Sequence, residues 1–125
     1  MSNLEGIDFI KRLVGEAENY LVKGDAVQSS EKLYKAAEEC VKALSEHFKL
    51  EEVKAAEEKG RWTVTLLEKA VGKLAGKLGI DVELGWAEAN YLHIWGFHEV
   101  KLDPEDVKRR VPMIKRLMEL TEKGC

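Results

Sequence analysis

The stretch Tyr20–Leu44 reads YLVKGDAVQSSEKLYKAAEECVKAL, and Gly24-Asp25 near its start divides two patterns of the same period. Upstream, Leu4, Ile7, Ile10, Leu13, Val14, Ala17 and Leu21 recur at helical spacing and make one apolar stripe. Downstream, Val27, Ser30, Leu33, Tyr34, Ala37, Cys40, Val41, Leu44 and Phe48 do the same. Gly24 suits the left-handed position just past a helix end, and Asp25 suits the cap of the next helix. The spacing predicts helices over Leu4–Val22 and from Asp25 to about Phe48. So short a turn between amphipathic helices folds them back as an antiparallel hairpin. The small side chains of Ser30, Ala36 and Ala37 are expected to let the first helix approach closely.

Beyond the hairpin, Lys49–Arg61 is polar and ends in Gly60; it reads as a short helical piece or a loop. A third helix is predicted over Val64–Leu78, started by Thr65 with Glu68 in a capping box or by Thr63. Its apolar positions are Leu66, Leu67, Ala70, Val71, Leu74, Ala75 and Leu78. Gly72 and Gly76 lie one turn apart inside it, each costing about 1 kcal/mol of helix propensity against Ala. That cost suggests a close helix–helix contact.

A fourth helix, about Val82–His98, carries almost no charge between Glu88 and Glu99. At 100° per residue its back is Gly85, Ala89, Leu92 and Gly96, small and smooth where a surface helix would be charged. It should therefore be buried nearly all round, at the centre of the chain or against a second copy. The fifth helix opens with the clearest start signal: Asp103 as cap, Pro104 in the first turn, then Glu105 and Asp106. Pro112 lies too far in for an unbroken helix, so a kink or a split is expected there. No strand-like alternation occurs, and no repeat recurs at 34 residues.

At 125 residues and 45% hydrophobic composition the chain suits one core-forming domain, residues 1–125. No run approaches the roughly 20 apolar residues of a membrane span, and no signal-peptide core is seen at the N-terminus. A cytoplasmic location is expected. Twenty Lys and Arg oppose 23 Asp and Glu, for a net charge of −3, which argues against nonspecific nucleic-acid binding. Eighteen Glu and 15 Lys against one Gln and three Asn fits a thermophile's pattern, or simply a helical protein, since Glu and Lys are good helix formers.

Chemistry-bearing residues are few. His93 and His98, five apart, fall about 140° round an α-helix and so cannot share a metal as an i, i+4 pair does. No metal site and no cofactor are expected. Cys40 is spaced with the core, Cys125 ends the chain, and no Walker, dinucleotide-binding or zincin motif is present. Lys69, Lys73 and Lys77 line one helix face as a candidate basic ridge for phosphate. Trp62 is expected to plug one end of the bundle.

Two segments, Tyr20–Leu44 and WAEANYLHIWGFHEVKLDPEDVKRRVP from Trp86 to Pro112, together resemble the archaeal paralogous-repeat family abbreviated PaREP, first group. Within them LHIWGFHE is the specific part. The resemblance implies a HEPN-like antiparallel helical bundle, usually dimeric, archaeal and cytoplasmic. Many HEPN proteins are metal-independent ribonucleases in which a His follows an Arg by four to six residues. None of Arg12, Arg61, Arg109, Arg110 and Arg116 has a histidine at that spacing, so no catalytic residue is carried over.

The expected fold is therefore all-α, an up-and-down bundle of four to five helices. The expected role is a noncatalytic, homodimeric binding module for a nucleotide, RNA or a partner protein. A ribonuclease with a non-standard site, such as His93 or His98 with Arg61, and a tetratricopeptide-like adaptor are the alternatives. Trp86, His93, Trp95, Phe97, His98 and Glu99 are the candidate ligand or interface residues. The dimer is expected to form on the small back of the fourth helix, with Trp86, Trp95 and Phe97 supplying buried area.

Overall fold

A computed structural model of the chain describes residues 3–124, with side chains from residue 6 onward. Leu4, placed on the first stripe above, and Cys125 lie outside the residues whose side chains are described. The elements are α1 (Asn3–Val22), α2 (Ala26–His47), α3 (Glu51–Lys59), α4 (Val64–Leu78) and α5 (Asp81–Tyr91). A π-helical segment (Leu92–His98), α6 (Pro104–Lys108) and α7 (Val111–Gly124) follow. Among the described residues there is no strand.

The hairpin forms as its spacing demands. Gly24 takes a left-handed φ of 81°, the Asp25 N–H donates to the Tyr20 carbonyl, and the Asp25 carboxylate accepts from the Gln28 N–H at 2.9 Å. Ser29 donates its hydroxyl to the Ala17 carbonyl, so a small polar residue ties α2 directly to the backbone of α1. Lys32 pairs with Glu16 along the edge of this contact at 2.7 Å.

α2 is the central helix. It buries Ala26, Leu33, Tyr34, Ala36, Ala37, Cys40, Val41 and Leu44, and packs against α1, α4, α5, α7 and the π segment. Alanine and serine on several of its sides let these neighbours crowd round the longest of the described helices. The fourth predicted helix is not central, which overturns one of its two expected placements. Its stripe of Val82, Gly85, Trp86, Ala89, Leu92 and Gly96 faces the core, while its other side stays in solvent. The small back is filled from within the chain. A Cβ at Gly85 would stand 3.0 Å from Leu117 Cβ and 3.1 Å from the Met113 carbonyl, and one at Gly96 would collide with Ser30.

Other boundaries follow local chemistry. Thr63, not Thr65, caps α4 by accepting from the Leu66 N–H, and the predicted Val64–Leu78 span is the observed one. The polar piece after the hairpin is helical as α3. Gly72 and Gly76 have open space where a Cβ would stand, so the close contact expected of them does not exist. The fifth helix splits at Arg109-Arg110 into α6 and α7, which leaves Pro112 in the first turn of α7, where its missing N–H has no helical partner to lose. Asp103 and Asp106 cap α6 reciprocally. Trp62 packs half-buried against the core.

Candidate functional site: a histidine pair on a widened helical turn

From Leu92 the helix turns more slowly, and the Glu99 N–H closes the segment on the Ile94 carbonyl five residues back at 2.8 Å. A π turn brings positions five apart to one side. That geometry overturns the separation expected of the two histidines. The Nε2 atoms of His93 and His98 lie 3.1 Å apart, with the rings nearly perpendicular and their centroids 4.4 Å apart. The centroids are too close for the two rings to meet end to end, so the nitrogens approach each other obliquely.

The pair is built from both sides. Behind His93, its buried Nδ1 faces the buried Glu31 Oε2 at 3.4 Å, an ion-pair distance longer than a good hydrogen bond, and neither atom has another hydrogen-bond partner. A proton on Nδ1 serves this contact and leaves Nε2 as an acceptor for the His98 N–H. Tyr34 of α2 stacks on the His93 ring at 4.0 Å, and Phe97 lies parallel to it on the π segment at 6.0 Å while meeting His98 edge-on. Burial, and after it the carboxylates of Glu38 and Glu31, push the Tyr34 phenol up to about 12. Tyr34 is thus a neutral stacking platform rather than an acid or base near pH 7. His98 is the solvent-exposed end of the line and His93 the half-buried one.

The other candidates separate. Trp86 is 2% exposed, donates its indole N–H to Glu68 at 2.7 Å and packs near Tyr34, so it is a core residue and offers nothing to a ligand or a second copy. Trp95 points outward at 44% exposure and joins Leu84, Tyr91 and Ile94, at 45%, 39% and 47%, in an apolar strip along α5 and the π segment. Arg110 lies 3.8 Å over the Tyr91 ring and bonds Glu88 at 2.5 Å, neutralising the strip's edge. Glu99 is exposed and closes the π segment through its backbone. On the lysine ridge, Lys73 bonds the buried Glu52 at 3.0 Å and Lys77 sits over the Phe48 ring at 5.4 Å. Two of its three cations are therefore engaged within the chain.

Sequence reasoning missed Glu31 and Tyr34 as partners of His93. Nothing in their spacing sets them apart from the rest of the α2 face. It also missed a cleft of about 600 Å³ between the end of α1 and the α6–α7 junction, lined by Leu21, Val22, Pro104, Lys108, Val111 and Pro112 among others. Val22, 89% exposed and off the α1 stripe, was the available signal. Among the described residues no three His, Cys, Asp or Glu side chains converge on a common point. No helix among them is long and apolar enough to cross a membrane.

The fold is an all-α bundle around a central α2, with a histidine pair on a π turn packed against that helix. The model of the archaeal PaREP1/PaREP8 family matches residues 6–118, and the chain belongs to that family. It is similar to a crystal structure of a protein from Sulfolobus solfataricus at 36% identity and a TM-score of 0.84, over 92% of this chain and 94% of that one. A solution structure of an open-reading-frame product matches at 36% identity and a TM-score of 0.79, over 92% and 89%. No curated protein matches the chain.

Proposed function

We propose that the chain is a noncatalytic, HEPN-like binding module that works as a homodimer, its copies meeting on the strip of Leu84, Tyr91, Ile94 and Trp95. The strip is the observation that carries this reading: four large apolar side chains, each between 39% and 47% exposed, lie on one line of α5 and the π segment. A two-fold contact sets residues at its axis against their own copies, so its centre must be free of like charges. This strip meets that requirement, since Arg110 neutralises the nearest carboxylate, Glu88. The engaged lysines of α4 favour a protein partner over RNA. The antiparallel helical architecture supports the HEPN-like relation, and the missing Arg–His spacing supports a noncatalytic role. Composition supports a thermophile's cytoplasm as the setting.

Light scattering at micromolar concentration tests the reading, with a mass twice 14.1 kDa expected. Trp95→Lys with Leu84→Lys should halve that mass and leave helicity intact. A wild-type mass near 14.1 kDa would remove the dimer. One observation favours a second reading, the ribonuclease: Glu31, His93 and His98 line up as a carboxylate-backed imidazole pair. Cleavage of single-stranded RNA that vanishes in His98→Ala would put that reading first.

A further inference from the structure

We infer that His93 and His98 form a binding site for a divalent transition-metal ion of the zinc, nickel or copper kind, with Glu31 as the carboxylate that orients His93. The geometry of the π segment carries this inference and it does not depend on the dimer. Imidazole nitrogens bind such ions at about 2.0–2.1 Å. Two nitrogens 3.1 Å apart therefore subtend about 100° at a shared ion, between the cis angle of an octahedron and the tetrahedral angle. The oblique approach of the rings turns their ring axes off the line joining the two nitrogens, as ligation of one shared ion requires.

The remaining parts of a metal site are in place. A ligating histidine commonly donates its other N–H to a carboxylate, which fixes the tautomer and raises the basicity of the ligating nitrogen. Glu31 stands at 3.4 Å from His93 Nδ1 in that position. The Tyr34 stack, with Phe97 beyond the His93 ring, holds His93 in place, so binding orders mainly the exposed His98. To ligate through Nε2, a neutral His98 shifts its proton from Nε2 to Nδ1; no net proton is released and no redox partner is needed. Two protein donors leave the other coordination positions to water or to an external ligand. Imidazole donors select these ions over magnesium and calcium, which demand oxygen.

Titration calorimetry of the full chain with Zn²⁺ tests the site, with Mg²⁺ as the contrasting probe. One Zn²⁺ per chain is expected, with no heat from Mg²⁺. His98→Ala, at an exposed position, should fold normally and lose binding at least about ten-fold. Glu31→Gln keeps the shape of the side chain and should weaken binding by about 10–100-fold, the usual effect of removing such an orienting partner. Loss in His98→Ala with none in Glu31→Gln would overturn the orienting role, while equal Zn²⁺ binding by wild type and His98→Ala would overturn the site. Absence of Zn²⁺ binding by wild type would overturn it as well.

Discussion

Gly96 lies so close to Ser30 that a Cβ at Gly96 would overlap the serine hydroxyl. Ser30 Oγ is buried there without a hydrogen-bond partner. Gly96→Ala should therefore cost about 1–3 kcal/mol, the range for overpacking. Denaturant unfolding measures it. Ser30→Gly should recover part of the loss in the double variant, because neighbouring sites in steric contact are not additive. Simple additivity would show that the contact is not the cause.

Val100 follows the π segment with a φ of 54°, a left-handed conformation that β-branched residues rarely adopt. Its side chain is more than half exposed, so packing does not repay the strain. Its neighbour Lys101 donates its N–H to the Trp95 carbonyl at 2.8 Å, which holds the chain in this turn. Val100→Gly should raise stability by up to about 1 kcal/mol, the relief of strain being partly offset by the freer unfolded chain. Thermal unfolding reads the sign, and a lower midpoint would show that the valine side chain is used.

The Tyr34 phenol is held up to about 12 by burial first and by Glu38 and Glu31 after it. In the unfolded chain it ionises near 10. The fold thus favours the protonated phenol, and its contribution is complete below about pH 10 and lost as pH rises toward 12. Across that window the wild type should lose on the order of 2 kcal/mol more than Tyr34→Phe. Parallel pH profiles for the two proteins would contradict the assignment.

Most of the fold was legible because its signals are local. Gly24-Asp25, Asp103-Pro104 and the α4 stripe each fix an element through capping or period, and the observed ends fall within a residue or two. The site was not legible, for one reason. Reading Val82–His98 at 100° per residue assumes an α-helix throughout, and the slower turn after Tyr91 moves His98 round to His93. The same reading gave Gly85, Ala89, Leu92 and Gly96 to a second copy, when α7 and α2 already fill that face. Glu31 and Tyr34 reach His93 only through the packing of α2 on the π segment, a contact between residues some 60 positions apart in the chain.

The empty space around Gly72 and Gly76 bears on how the molecule breathes. No neighbour presses on that side of α4, and each glycine weakens the helix by about 1 kcal/mol. Stability is not shared evenly along a chain, and segments with fewer supporting contacts open first. The amide protons of α4 on that side should exchange with deuterium well before those of α2, which is enclosed by other elements. Gly72→Ala and Gly76→Ala should slow that exchange and stabilise the fold by up to about 1 kcal/mol each, opposite in sign to the same change at Gly96. α4 carries Trp86's partner Glu68, so its opening would loosen the floor beneath Tyr34 and His93 without unfolding the hairpin.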